Sequence, residues 1–361
     1  MKVTFDSQIF TLQEYGGISR YICSLACHLD EIEGVDANIV APLYINAYLN
    51  KLSKKLVTGI KISRVAKTGM IVHLCSLFLA RNLIARHAPQ IIHETYFSPK
   101  LMAPKGIPTI LTVYDMIDEL FASKIVNKYL DWKRIASQRA DHVICISECT
   151  RRDLIKLYDL PEDKVSVVYL GFDALIPSVA KIEKIKPYLF YVGHRGGYKN
   201  FEGFLRAYAN SDWLSKSFDV ICFGGGSFSS VEKKLFKELN LFDEQIHQMS
   251  GSDEQLAAYY RDAALFVYPS LYEGFGIPPL EAMSLGCPVA CSNTSSIPEV
   301  VGDAGQYFDP NNIESIQSAM EMVLASGERK TDLINKGYER CNHFTWERCA
   351  QETLAVYRAL I

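Results

Sequence analysis

The chain has 361 residues, of which 48% are hydrophobic and 22% charged, with a formal net charge of −3. That composition excludes a disordered chain and suffices for two domains with their own cores, and the charge excludes a globally basic nucleic-acid binder. Ten cysteines without a C-x-x-C pair or a zinc-site spacing read as reduced core residues, and no apolar run of signal-peptide length opens the chain, so a cytosolic protein is expected.

Short apolar runs rich in Val, Ile and aromatic residues alternate with amphipathic stretches of helical length, which predicts an α/β protein with largely parallel sheets. In the first half, strands are expected near Val3 to Phe5, Ala37 to Ala41, Gln90 to His93, Thr109 to Val113, His142 to Ser147 and Val165 to Tyr169. After the first of these, Gln13-Glu-Tyr-Gly16-Gly17 opens a helix on which Ile18, Tyr21, Ile22, Leu25, Ala26 and Leu29 recur at helical spacing. Two glycines there permit close backbone approach, and a helix start favours an anion. The G-x-G-x-x-G spacing is lacking, however, and the same turn serves equally to close a strand onto a helix. Further on, His93 ends a strand toward the ligand-binding edge, where a lone histidine is more often structural. Asp115, after Thr112-Val-Tyr114, suits a turn cap as well as a site.

Residues 51 to 93 contain Lys51, Lys54, Lys55, Lys61, Arg64, Lys67, Arg81 and Arg86 but no Asp or Glu. With Met70 to Ala80 embedded in it, the stretch 51 to 87 fits contact with an anionic membrane surface; it fits equally a core helix beside a solvated basic loop. The apolar run is too short to span a bilayer.

Residues 173 to 186 hold a proline and several charges without a strand or strong helix pattern, and predict a linker between domains at 1 to 172 and 187 to 344. The strand pattern restarts at Pro187 to Gly193 and continues with Phe218 to Phe223, Ala264 to Tyr268 and Pro288 to Cys291. Open α/β sheets bind ligands at the carboxyl ends of their strands, so two such domains predict a cleft lined by strand-to-helix loops.

Two loops of the second half carry the chemistry. Gly193-His-Arg195-Gly-Gly-Tyr-Lys199-Asn200 supplies two cations after an apolar strand; Arg offers a planar fork and Lys a point charge, a pair suited to a diphosphate. A solvated basic loop would read the same. Tyr268 to Glu281 then places Glu273, Gly274, Phe275 and Gly276 ahead of Ile277-Pro-Pro, where prolines fit a first helical turn and free amides face a phosphate. Glu273 and Glu281 frame this turn as acceptors for sugar and ribose hydroxyls. The plain alternative is a tight turn with an acidic helix start.

Together these residues resemble the retaining GT-B glycosyltransferases of family 4 along nearly the whole chain, in particular bacterial mannosyltransferases of surface-polysaccharide assembly. Glu273 to Glu281 resembles that family's E-x7-E motif, and Gly193-x-Arg195-x-x-x-Lys199-Asn200 its diphosphate-binding loop. Ala140 to Glu148 with Val168 to Asp173 resembles the close of its first domain. Phe344-Thr-Trp346 resembles the start of a helix, 345 to 361, that returns to that domain. The resemblance implies two Rossmann-like doubly wound domains: an acceptor-binding one and a donor-binding one for a nucleotide-sugar.

It further implies Arg195, Lys199 and Asn200 at the diphosphate, Glu281 on the ribose, and Glu273 with the amides of Gly274 to Ile277 at the transferred sugar. Met249 would lie near the base, and Gly16, Gly17, His93, Tyr114 and Asp115 would face them. Many relatives carry a histidine where Tyr114 stands, and tyrosine cannot take a proton near neutral pH as imidazole does.

No Asp-x-Asp triplet or His/carboxylate cluster suggests a metal, so metal-independent, retaining transfer of a hexose without a cofactor is expected, mannose from GDP-mannose favoured over UDP-sugars. The expected acceptor is a glycan or lipid-linked saccharide, no nucleic acid is involved, and the enzyme would act in the cytoplasm, peripheral to the inner membrane. A nucleotide-sugar epimerase and a non-catalytic nucleotide-sugar binder are the competing readings. A dehydrogenase lacks its fingerprint, and a glycosidase would not need the two cations.

Overall fold

The computed structural model describes residues 1–63, 69–100, 103–121, 128–177, 186–242 and 244–361. Arg64 and Lys67 of the basic stretch, and 178–185 of the expected linker, lie outside the described residues. The chain divides into two compact units: Met1–Gly171 together with Phe344–Ile361, and Phe172–His343.

The first unit runs β1 (Lys2–Phe5), α1 (Gln8–Leu12), α2 (Gly17–Asp30), β2 (Asp36–Tyr44), β3 (Val57–Lys61), α3 (Gly69–His87), β4 (Ile91–Glu94), β5 (Thr109–Val113), α4 (Ile117–Phe121), α5 (Lys128–Arg139), β6 (His142–Cys145), α6 (Glu148–Tyr158) and β7 (Val165–Val167). Its strands form one parallel sheet in the order β3-β2-β1-β4-β5-β6-β7. β4 and β5 are buried at every position, because crossover helices cover both faces of a parallel sheet.

A closing helix, Trp346–Arg358, belongs to this unit and packs on α2. The Thr345 side chain caps it, accepting the Arg348 N–H. Trp346 lies against Tyr21 and His28, with ring centroids 6.1 and 6.2 Å away. The outgoing chain passes the returning one at Gly171, where a Cβ would come within 2.5 Å of the Trp346 backbone nitrogen.

The second unit runs β8 (Tyr188–Val192), α7 (Phe201–Ala209), α8 (Asp212–Ser217), β9 (Asp219–Phe223), α9 (Ser230–Glu238), β10 (Ile246–Met249), α10 (Asp253–Asp262), β11 (Leu265–Tyr268), α11 (Ile277–Ser284), β12 (Val289–Ser292), α12 (Ile297–Val301), β13 (Gly305–Phe308), α13 (Ile313–Ala325) and α14 (Gly327–Cys341). The parallel sheet is ordered β10-β9-β8-β11-β12-β13. Its core interleaves strand residues such as Leu189, Val220 and Val267 with Phe204, Tyr208 and Leu205 of α7 and Met320 of α13.

Three strands were not expected from the sequence: β3, β10 and β13. Each is a sheet edge, half-exposed, with Gly, Thr, His or Gln among four or five residues. An edge strand has one neighbour and one wet side, so it shows no apolar run.

Candidate active site

In the second unit the carboxyl ends of β8 to β12 share one edge of the sheet, and the loops that rise from it hold the predicted donor residues. After Tyr268 the chain turns through Glu273 and Gly274 to Gly276, whose φ of +125° is strongly unfavourable for a side-chain-bearing residue. Pro278 and Pro279 then fill the first turn of α11, where they forfeit no helical hydrogen bond. In this proline-filled first turn Ile277 is the residue that still carries a backbone N–H, the kind of group that meets an anion at a helix start.

Glu273 is buried. Its own N–H donates to Ser295 Oγ at 3.0 Å, and Ser296 Oγ donates to the carbonyls of Glu273 and Phe275, both at 2.8 Å. Its carboxylate accepts Lys199 Nζ at 2.6 Å and hydrogen-bonds the Tyr268 phenol. Burial, and then the Glu273 charge, push that phenol well above its ordinary range, so it serves as a neutral donor. An ammonium has three N–H groups and Lys199 commits one to Glu273, which leaves directions for a ligand.

Lys199 closes a single helical turn, Gly197–Lys199, and Asn200 follows in the left-handed region with φ +52°. The Asn200 side chain donates to the Pro310 carbonyl at 2.8 Å and covers the first turn of α7, where a Cβ on Gly203 would meet its Oδ1 at 2.5 Å. Asn200 therefore fixes the loop that carries Lys199. On α11, Glu281 Oε2 accepts the Tyr260 hydroxyl at 3.2 Å. Tyr260 is held neutral by burial first and by Glu281 second.

Arg195 departs from expectation. Its guanidinium is bonded to Glu232 Oε1 at 2.5 Å and to the carbonyls of Gly224 at 2.9 Å and Gly226 at 2.8 Å, and it stacks over Phe228 at 4.8 Å. The side chain is 4% exposed. It clamps the loop after β9, in which Gly224, Gly225 and Gly226 all have positive φ, and its contacts lie there rather than with Lys199 and Glu273. A cavity of about 950 Å³ opens on that flank, lined by Arg195, Glu202, Arg206, Glu232, Leu271 and Asn311 among others; Lys199, Glu273 and Glu281 do not line it. Met249 ends the edge strand β10, its carbonyl accepting the Gly224 N–H at 2.9 Å.

The candidates of the first unit are mostly committed to structure. Gly16 has an extended backbone, and the Gln13 side chain occupies the space beside it: a Cβ would lie 2.2 Å from Gln13 Oε1, which also accepts the Ser19 N–H at 3.3 Å. The α2 start is thus partly closed by the chain's own amide, while beside Gly17 there is open space. His93 is fully buried, stacked on Phe5, with Nδ1 2.6 Å from Tyr357 Oη and Nε2 2.8 Å from Thr112 Oγ1. Burial pulls its pKa down to about 3. A neutral imidazole with both nitrogens bonded in the core has nothing left for a ligand, so His93 is corrected to a core residue.

Asp115 Oδ1 accepts the Ile117 N–H at 3.1 Å, the turn-capping alternative; burial raises its pKa and Lys133 opposes this. Tyr114 differs. Its ring stands edge-on to Tyr21 at 5.5 Å, and its occluded hydroxyl has no partner among the described residues.

Sequence reasoning missed Tyr260, Tyr268, Ser295, Ser296 and Glu232. The serines were signalled by Ser292-Asn-Thr-Ser-Ser296, a polar run directly after an apolar strand. Among the described residues no three His, Cys, Asp or Glu side chains are grouped as metal ligands would be.

A family model described as Glycosyltransferase Family 4 matches residues 15–174, and one described as Glycosyl transferases group 1 matches 174–340. The chain is 31% identical to O-antigen chain mannosyltransferase B of Escherichia coli over 230 residues, 60% of either chain. It is 28% identical to O-antigen chain mannosyltransferase RfbU of Salmonella typhimurium over 331 residues, 89% of either chain. Sucrose-phosphate synthase of Thermosynechococcus elongatus shares the fold, with a TM-score of 0.77 at 19% identity, covering 99% of this chain and 98% of that one. The chain belongs to the family 4 glycosyltransferases: it is a hexosyltransferase of the GT-B fold.

Proposed function

We propose that the protein transfers a hexose with retention of anomeric configuration and without a metal, from a nucleotide-sugar to a glycan or lipid-linked saccharide of a surface polysaccharide, on the cytoplasmic side of the membrane. The observation that carries this reading is the Lys199–Glu273 contact at 2.6 Å beside the Gly276 helix start. Charge grows on the leaving diphosphate as the glycosidic bond breaks. Lys199 and the amides of Gly274 to Ile277 are preorganised donors for it, the role a metal has elsewhere. Glu273 anchors the ammonium and orders the turn on which the sugar would lie. Glu281, oriented by Tyr260, is assigned to the ribose.

Arg195 acts at one remove, by fixing the glycine loop. Tyr114, with its uncommitted hydroxyl, is the first-unit residue assigned to a sugar hydroxyl. Mannose from GDP-mannose is favoured because the two relatives above are mannosyltransferases by name.

Thermal-shift titration with GDP, UDP and ADP, followed by the matching sugar series with a saccharide acceptor, tests the reading. Stabilisation by GDP and mannose transfer only in the presence of acceptor are expected. Selective stabilisation by UDP moves the donor to a UDP-sugar, conversion without acceptor makes an epimerase, and stabilisation with no turnover a binding protein.

A further inference from the structure

Helix α3 has no one-sided apolar pattern: among its first ten residues Met70, Ile71, Val72, Leu74, Cys75, Leu77 and Phe78 are spread round the helix, a composition that suits a helix covered on more than one side. The fold covers only one side. Inward, Ser76, Ala80 and Ile84 are buried; Ser76 Oγ donates to the Leu43 carbonyl at 2.9 Å, and His73 Nδ1 meets Thr11 Oγ1 of α1 at 2.6 Å. Outward, Met70, Ile71, Leu74, Phe78 and Leu79 are left in water, Met70 at 77% and Phe78 at 75% exposure.

The charge on this segment has one sign. Arg81 and Arg86 continue the same outer face toward the helix end, and Lys61, Lys51 and Lys54 are exposed on the preceding segment. Lys55 is excluded from the set because Asp30 takes it at 3.2 Å. Between 51 and 93 the sequence has no acid; the acids beside α3 are Glu14, exposed after α1, Asp36, exposed at the start of β2, and the buried Asp6, whose charge reaches His73 on the inward side.

We infer that the outer face of α3 docks on an anionic phospholipid surface, its first turns seated at the boundary of headgroups and acyl chains and its arginines among the headgroups. Apolar area exposed beside cations without acids is what such an interface binds, and a protein partner would not require the single sign of charge. α3 is the one helix among the described residues long and apolar enough to cross a bilayer. Its inward face is bonded to β2 and α1, so it lies along the surface. Residue 73 on α3 holds α1, which leads directly into the Gly16-Gly17 turn, so a lipid-linked acceptor would enter from the bilayer beside that turn. This last step rests on the proposed function; the docking does not.

The exposed Cys75 sits on the outer face, whereas the nine other cysteines are buried or half-buried. A polarity-sensitive fluorophore on Cys75 of the full chain, together with co-sedimentation on phosphatidylcholine vesicles with and without phosphatidylglycerol, tests the inference. Expected are a blue shift and co-sedimentation on the anionic vesicles at low salt, lost at high salt. Leu74→Glu with Phe78→Glu lowers binding at least about tenfold, and Arg81→Gln or Arg86→Gln about fivefold each. Because these side chains are exposed, the variants keep the wild-type melting temperature and nucleotide-induced shift. No binding of wild type to anionic vesicles at low salt overturns the inference, as does undiminished binding by the double Glu variant, or a stable dimer that shields Cys75 without lipid. A failed donor titration with intact vesicle binding would instead overturn the proposed function alone.

Discussion

The two units present their candidate residues in opposite states. In the second, Lys199, Glu273 and Tyr268 meet, two serines brace the turn from behind, and Gly276 holds a backbone that other residues strain to adopt. In the first, Gln13 closes half of the glycine turn, His93 is spent on Tyr357 and Thr112, and Asp115 caps α4. The side proposed to handle a strongly charged diphosphate is built in advance, since preorganised dipoles need no rearrangement at the moment of reaction. Of the first unit's candidates, Tyr114 keeps a hydroxyl without a partner among the described residues, and Gly17 has open space beside it.

The sharpest way to break this contrast is Lys199→Ala, for which kcat should fall about 10²- to 10³-fold in a transfer assay, as for loss of one preorganised donor. Wild-type turnover would dissolve the second-unit site. Next, Gly276→Ala forces a side chain into positive φ and should cost about 1–3 kcal/mol in denaturant unfolding, with weakened binding of the cognate nucleoside diphosphate in calorimetry.

His93→Gln should flatten the acid limb of stability. Burial keeps the folded imidazole near pKa 3 against its ordinary 6.5, so the unfolded chain binds the extra proton between those values. The stabilisation is complete above pH 6.5 and is lost as pH falls toward 3. Melting temperatures from pH 7 to 4 should therefore drop more steeply for wild type, with equal kcat at pH 7. A loss of turnover at unchanged stability would return His93 to the site.

The smallest effect belongs to Gly17→Ala: open space predicts a stability change within about 0.5 kcal/mol. A tenfold loss of activity without that change would show a ligand pressed against the turn and narrow the difference between the units.

The sequence made the buried architecture legible where apolar runs were continuous: β4, β5, β9, β11 and β12 are buried throughout, and periodicity needs no more than that. Edge strands such as Ile246-His-Gln-Met249 carry no such run and went unread. Glu273, Lys199 and the Gly276 turn were legible because each needs a particular residue type at a particular place. The partner of Arg195 was not, since nothing local links position 195 to Glu232, 37 residues away and brought close by the β8–β9 crossover. Tyr268 and Tyr260 looked like core aromatics because their rings are core; only their hydroxyls reach the glutamates.

The helix Trp346–Arg358 completes a unit that began with residue 1, and Tyr357 on it supplies the His93 bond. During synthesis, then, the first unit waits with a bare α2 flank until residues 346 to 358 have emerged, while the uninterrupted second unit can finish first. A chain cut before residue 346 would expose Tyr21 and its neighbours, which makes this late helix a checkpoint for a core laid down about 300 residues earlier.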